Sequence, residues 1–383
     1  MSAQTVKVFI DGAEVEVPAD ASVFHACEKA GKQPPHFCYH PALGVDGNCR
    51  MCMVKVEGLP KPQISCDLRV KDGMKVDTES EEVRRIRSGV LELILVNHPI
   101  DCPVCDQSGE CSLQNYYMTA GLHKSYVPLE AKVHKPKVQD IGGDIMLDAE
   151  RCVACSRCVR FCSNVTKTGE LALFNRGDHT EIGLHPGVTL HSDYTGNLAD
   201  VCPVGALTSK DFRFKCRVWF LSETESVCPG CATGCNIEVH THEGEIQRLK
   251  PRVNDQVNGW WMCDPGRFGY HAVHAETRIP GFFERKGEDL VQTSREDAIA
   301  KVGRELKRVL RESGAASIAG VASSRHTVED LYAFKKLFEA IGAPPPALLP
   351  PAMGEGDDLL MHEDKTPNTT GAELLGYSRD GLE

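Results

Sequence analysis

Apolar and polar residues alternate along VKVFIDGAEVEVP, and the alternation breaks at Asp11-Gly12, a pair suited to the left-handed backbone of a two-residue hairpin. Two paired strands are predicted there. The following ASVFHACEKAG changes to a helical period and starts behind Ser22, a good N-cap. A longer amphipathic helix is predicted for EEVRRIRSGVLELILV, whose apolar face should dock the segment after it on its neighbours. Much later, IEVHTHEGEIQRLKPR reads as two strands joined by a turn at Glu243-Gly244. Near the end, SREDAIAKVGRELKRVLRESG and TVEDLYAFKKLFEAIG predict two amphipathic helices flanking the apolar strand ASIAGVAS. The proline-rich APPPALLPPAMGEGDD that follows predicts an extended stretch.

No apolar run approaches the eighteen or so residues of a membrane span. The amino terminus lacks a basic segment followed by a hydrophobic stretch and cleavage site. The chain is therefore expected in the cytoplasm, where thiols stay reduced, so its 18 cysteines read as metal ligands and not as disulfides. With 383 residues and 25% charged side chains, the composition suits several small modules, each built around a cofactor. A net charge of -11 argues against nucleic acid as a partner.

Fifteen cysteines and one histidine fall into four sets. Cys38, Cys49, Cys52 and Cys66 form the first, with a loop and a later return like those of a plant-type ferredoxin; ten residues separate Cys38 from Cys49, against four in the plant pattern. The alternative, a zinc ribbon, prefers two tight knuckles, and one Cys-x2-Cys is present here. The second set is His98, Cys102, Cys105 and Cys111 in NHPIDCPVCDQSGECSLQN. A histidine near a helix end is commonly a surface or capping residue, but this one precedes a three-cysteine run that otherwise lacks a fourth ligand. Imidazole in place of thiolate would leave a cluster less negative and favour its reduced state.

The third set is Cys152, Cys155 and Cys158, completed by Cys202 in DVCPVGAL: three cysteines two residues apart and a remote Cys-Pro suit a cubane. Cys162 holds the position that serves a second cluster in two-cluster ferredoxins, but no further Cys-x2-Cys-x2-Cys accompanies Cys202, so it is read as an unused cysteine in a helix facing the cluster. The fourth set is Cys228, Cys231, Cys235 and Cys263, where a shared Cys-x2-Cys leaves zinc as an alternative. Cys27, Cys162 and Cys216 stay outside every set and are expected as buried thiols. Arg50, Arg157 and Arg160 stand beside ligand cysteines, either as ordinary solvated or salt-bridged arginines or as charges that offset a cluster. No catalytic residue is proposed. No Gly-x-Gly-x-x-Gly turn or phosphate loop is found, so neither flavin nor nicotinamide is expected to bind this chain.

These four motifs, in this order over residues 1 to about 275, resemble the amino-terminal half of the large iron-sulfur subunit, the 75 kDa or G type, of NADH:quinone oxidoreductase, respiratory complex I. HPIDCPVCDQSGECSLQN, CVACSRCVRFC, CPVGALTSKDFRFKCR and WWMCDPGRFGY each look like that family's motifs. The resemblance implies one 2Fe-2S cluster on Cys38, Cys49, Cys52 and Cys66, and 4Fe-4S clusters on the other three sets. It also implies electrons that arrive from NADH through a flavin-bearing partner subunit, cross the first three clusters and leave toward the quinone-module iron-sulfur subunits. The fourth cluster, present in some members, would lie off that path and serve the fold. The chain would then work as one subunit of an NADH dehydrogenase, without a complete active site of its own, on the cytoplasmic side of the inner (plasma) membrane and held there through the complex.

The expected fold class is α+β, in modules: a plant-ferredoxin-like β-grasp over 1–78, a helical 4Fe-4S segment with one histidine and three cysteines over 79–135, and a bacterial-ferredoxin-like 4Fe-4S domain over 136–220. A β-rich 4Fe-4S domain of the molybdopterin-oxidoreductase type follows over 221–280, then an α/β remnant over 281–343 and a proline-rich arm over 344–383, expected either to run ordered across a partner or to be a disordered end. After residue 275 the chain departs from long family members, which continue into a molybdopterin-like domain, so it is identified as a form shortened at the C-terminus. A molybdenum formate dehydrogenase would need a further metal-binding cysteine and space for two pterins, and no cysteine follows Cys263. The closer alternative is the electron-transfer subunit of a soluble NAD-linked hydrogenase or formate dehydrogenase complex.

Overall fold

Strands β1 (Thr5–Ile10) and β2 (Ala13–Pro18) pair antiparallel with Val8 opposite Val15, and the turn places Asp11 at φ 49° and Gly12 at φ 87°. The sheet to which they belong opens the computed structural model, which describes residues 4–378. Helix α1 (Val23–Lys29) begins at Ser22, whose hydroxyl accepts from the His25 N–H at 3.3 Å. Strands β3 (Met53–Val56), β4 (Gln63–Ile64) and β5 (Met74–Asp77) complete a mixed five-stranded sheet in the order β2-β1-β5-β3-β4, with β5 parallel to β1. Val8, Ile10 and Val17 face α1 in one core with Val23, Ala26 and Cys27, so the predicted β-grasp is the observed fold.

Helix α2 (Glu81–Leu95) starts where Asp77 Oδ1 accepts from the N–H groups of Glu79 and Ser80, with Glu81 and Glu82 favourably placed at the positive helix end. It is tied to the sheet by Arg87, whose Nε and Nη2 donate to the Met53 carbonyl at 3.1 and 2.8 Å. Helix α3 (Ser112–Ala120) follows the second cysteine run and packs on α2 through Leu91 and Leu113.

Strands β6 (Gln139–Asp140) and β7 (Ile145–Leu147) lead into the third cysteine run, which enters α4 (Arg157–Arg160) and one wider helical turn over Phe161–Val165. The hairpin of β8 (Leu171–Phe174) and β9 (Glu181–Leu184) and helix α5 (Asn197–Val201) bring the chain to Cys202, and β10 (Leu207–Ser209) closes a sheet with β7 and β6. Residues 1–222 group as one compact unit and residues 223–383 as a second.

In the second unit, β11 (Ser222–Val227), β12 (Asn236–His242) and β13 (Glu245–Pro251) form a sheet, and the turn lies at Glu243 (φ 51°) and Gly244 (φ 84°), as the sequence predicts. Helix α6 (Asp264–Phe268) follows Cys263. After the hairpin of β14 (Phe282–Lys286) and β15 (Asp289–Thr293) come α7 (Arg295–Ser313) and α8 (Val328–Ile341), capped by Ser294 and Thr327. The strand expected between them shrinks to β16 (Val321–Ala322), parallel to β17 (Ala347–Leu348). Prolines 344–346 and 350–351 bracket β17 and deny the ladder its N–H donors, which limits the pair to two residues.

Residues 357–378, expected as part of an arm across a partner, fold back on their own unit. Ala372, from α9 (Thr369–Leu374), and Tyr377 bury against Leu331 and Leu348, and the Tyr377 hydroxyl donates to the Leu331 carbonyl at 2.7 Å. The apolar residues spaced through the polar tail make this docking possible; a proline count cannot reveal it. No helix among the described residues is long and apolar enough to cross a membrane.

Candidate metal centres

The first set hangs on the loop between α1 and β3 and on the return after β4. Cys38 and Cys49 approach to hydrogen-bonding distance, as do Cys52 and Cys66, and Cys38 lies near Cys52. Donation by the Cys49 thiol pulls Cys38 down to about 5, and donation by Cys66 pulls Cys52 down to about 6, while both donors are pushed up. Amides of Gly47 and Asn48 also point at the Cys38 sulfur. Gly44 and Gly47, both at φ 73°, let this loop curl around the four sulfurs.

In the second set, His98 follows α2 and its N–H is held by the Leu95 carbonyl at 3.1 Å. Lys132 Nζ donates to the His98 carbonyl at 2.7 Å, which fixes the backbone and leaves the ring to point elsewhere. Nδ1 of His98 is buried with no hydrogen-bond partner among the described residues, and burial lowers its pKa to about 4, so the ring is neutral. A neutral buried imidazole nitrogen without a partner suits a metal ligand. Arg151 grips Asp101 in a two-pronged pair, 3.0 and 2.6 Å, at the start of the cysteine run. Arg217 donates to the carbonyls of Pro103 and Cys105, each at 2.5 Å, and so holds its far side. Cys111 lies near Cys105 and is pushed up to about 11 by burial.

The third set surrounds a small cavity of about 20 Å³ lined by Cys152, Cys155, Cys158 and Cys202 with Leu147, Val204 and Arg157. Burial pushes Cys152 up to about 11 and Cys155 up to about 12, and raises Cys158 and Cys202 as well. Ala154 (φ 50°) and Ser156 (φ 61°) take left-handed backbone and turn the peptide N–H groups of Ala154 and Arg157 toward the Cys152 and Cys155 sulfurs. The segment after Cys202 serves the second set too: the Ser112 N–H donates to the Pro203 carbonyl at 3.0 Å, and Gly205 leaves room for the Cys105 sulfur.

The fourth set lies wholly in the second unit. Cys235 is near Cys228, Cys231 and Cys263, and Gly266 lets the chain pass the sulfurs of Cys228 and Cys263, 3.1 and 3.3 Å from where its Cβ would be. Buried Asn258 staples the return, accepting from the Asn236 N–H at 2.9 Å and donating to the carbonyls of Arg252 and Trp261. Sequence reasoning missed a cover over this set. Residues 360–364 reach it through Thr233 to the Leu360 carbonyl at 2.6 Å and Ala232 to the Asp364 carbonyl at 2.9 Å, and the His362 N–H faces the Cys231 sulfur. More than a hundred residues of chain separate these partners, so no local signal reveals them.

Of the cysteines outside the sets, Cys27 and Cys162 are buried, and burial pushes both thiols up to about 12. Cys216 is only partly covered, contrary to expectation. It sits just before Arg217, on a segment that reaches outward to the second set and packs no core. Arg50 is exposed, the plainer of its two readings.

The residues fit iron-sulfur clusters on the structure's own terms: each set offers four soft or imidazole donors and amide N–H groups aimed at sulfur, and in the second and fourth sets Gly205 and Gly266 stand where a side chain would crowd the sulfurs. Four family models match the chain in the same order. They are a 2Fe-2S iron-sulfur cluster binding domain (residues 3–81), the NADH-ubiquinone oxidoreductase-G iron-sulfur binding region (87–125), the ferredoxin-like domain of NADH-quinone oxidoreductase subunit 3 (142–208) and the molybdopterin oxidoreductase Fe4S4 domain (221–275). The G subunit of NADH-quinone oxidoreductase from Rickettsia conorii is 38% identical over 88% of this chain and 49% of its own. The 75 kDa subunit of NADH-ubiquinone oxidoreductase from Reclinomonas americana is 39% identical over 88% of this chain and 48% of its own.

The chain belongs to the G-subunit family of NADH-quinone oxidoreductases.

It spans about half the length of the curated relatives it matches. Among solved structures, an NAD+-reducing [NiFe]-hydrogenase in the H2-reduced state is similar over 56% of this chain and 91% of that one, with 29% identity and a TM-score of 0.50. This member of the G-subunit family thus carries 2Fe-2S and 4Fe-4S binding domains in an α+β fold, as its sequence predicts.

Proposed function

We propose that the chain is an electron-conducting subunit of an NADH-quinone oxidoreductase, holding one 2Fe-2S cluster on Cys38, Cys49, Cys52 and Cys66. Three 4Fe-4S clusters sit on His98 with Cys102, Cys105 and Cys111, on Cys152, Cys155, Cys158 and Cys202, and on Cys228, Cys231, Cys235 and Cys263. Such clusters, when bound, accept and release single electrons without any proton-transferring side chain. The chain's own part is to hold, space and shield them. Support comes above all from one observation: the segment Pro203–Gly205 touches both the second and third sets, which puts two ligand sets against a shared stretch of backbone.

Partner proteins would supply and receive the electrons: a flavin- and NADH-binding subunit on one side, quinone-module iron-sulfur subunits on the other. Contact with the membrane, at its cytoplasmic face, would come through them. The fourth set, stapled by Asn258 and covered by residues 360–364, serves the second unit's fold. The hydrogenase likeness supports a second reading, an electron-transfer subunit of a soluble NAD-linked hydrogenase. It covers 56% of this chain against 88% for the G-subunit relatives, which favours the first. Co-purification from the native membrane decides between them: quinone-reducing membrane subunits are expected, and a soluble hydrogenase large subunit would overturn the assignment.

A further inference from the structure

An exposed or ion-paired arginine contributes little field to its surroundings, because water or a carboxylate already balances it. Arg157 is neither. Its Nη2 donates to the Tyr39 carbonyl at 2.5 Å, one residue past Cys38, and its Nη1 to the Val201 carbonyl at 3.3 Å, one residue before Cys202. Its Nε is buried and has no hydrogen-bond partner among the described residues. The side chain lines the cavity of the third set and faces Cys155, Cys202, Tyr116, Cys38, His36 and His40, and no carboxylate forms an ion pair with it among the described residues.

Its neighbour Arg160 behaves differently. Arg160 spends its donors on the carbonyls of Cys38, Leu43 and Gly44 and on the Ser156 hydroxyl, and Ser156 in turn donates to Asp46 at 2.8 Å. Together these bonds clamp α4 on the first-set loop and so fix where the Arg157 charge lies.

We propose that Arg157 is a positioning residue shared by the first and third ligand sets, whose uncompensated charge between them raises the reduction potentials of both clusters. The inference rests on those sets holding the clusters proposed above. Reduction adds negative charge to each centre, and a fixed cation in a poorly solvated setting stabilises the reduced form of whichever centre it faces. Guanidinium keeps its charge at any working pH.

The test is a redox titration by electron paramagnetic resonance of the full chain with its clusters, as wild type, Arg157→Gln and Arg157→Lys. Both signals in the wild type establish the underlying cluster assignment separately from the role of Arg157. With Gln, which keeps a donor and loses the charge, both midpoints are expected to move to more negative values, while the His98-set signal stays in place. With Lys, both are expected to remain close to wild type. A Gln variant that shifts neither signal, or only the third-set signal, overturns the proposal. Where the Gln chain loses either signal, the Lys variant decides: both signals at wild-type potentials support the charge, and a shifted or missing signal overturns it.

Discussion

The backbone of Gly205 runs so close to Cys105 that a Cβ at position 205 would overlap the cysteine sulfur and stand 3.0 Å from the Gln107 Cβ. Neither neighbour can retreat easily, because Arg217 holds the Cys105 carbonyl and Pro203 is bonded to Ser112. Gly205→Ala is therefore expected to cost about 1–3 kcal/mol of local stability, as overpacking does. It should remove the second-set cluster while the first-set signal persists. Iron analysis and paramagnetic resonance check this; an alanine variant with an intact second-set signal contradicts it.

His98 offers the one imidazole among sixteen proposed ligands, already neutral and without a partner at Nδ1. Replacing it with cysteine adds a negative charge to the cluster. His98→Cys should lower that cluster's potential by on the order of 100 mV, judged from the gap between histidine-ligated and all-cysteine centres. An unchanged redox titration would remove the proposed role of His98.

Asn258→Ala tests the fourth set without touching a ligand. The change leaves the Asn236 N–H and two carbonyls without their buried partner, at a cost of about 1–3 kcal/mol per orphaned group. Loss of about four irons per chain is expected, with NADH-to-quinone electron transfer retained in the assembled complex. The same retention is expected for Cys235→Ala. Lost electron transfer in a correctly assembled complex would contradict a structural role for the set.

Tyr377→Phe probes the docked tail. Removal of the hydroxyl that bonds the Leu331 carbonyl should cost about 0.5–1.5 kcal/mol. Hydrogen exchange at residues 369–377 should speed up accordingly, and exchange already at the unfolded rate in the wild type would contradict the docking.

What the sequence made legible was whatever rests on local pattern. The Asp11-Gly12 turn, the Ser22 cap and the Glu243-Gly244 turn follow from backbone preferences of two or three residues, and the cysteine spacings announce the loops that carry them. Contacts over long chain separations were invisible. Nothing near Arg157 signals that it reaches the Tyr39 carbonyl, 118 residues away, and nothing in the acidic stretch before Asp364 signals that it covers Cys231. The strand expected over ASIAGVAS failed for a similar reason. Gly320 sits where a Cβ would meet the Phe338 ring at 2.5 Å, and its strand partner lies in a three-residue gap between Pro346 and Pro350. The docking of Ala372 and Tyr377 on Leu331 and Leu348 was hidden as well, because proline content reports local extension and says nothing about docking.

The most direct test of the whole account is a paramagnetic resonance spectrum of the dithionite-reduced protein, counted against its iron and acid-labile sulfide. One binuclear and three cubane centres predict about fourteen irons and as many sulfides per chain, with a distinct signal for each reducible cluster. A colourless protein with zinc in the first three sets, or iron without sulfide, would contradict it.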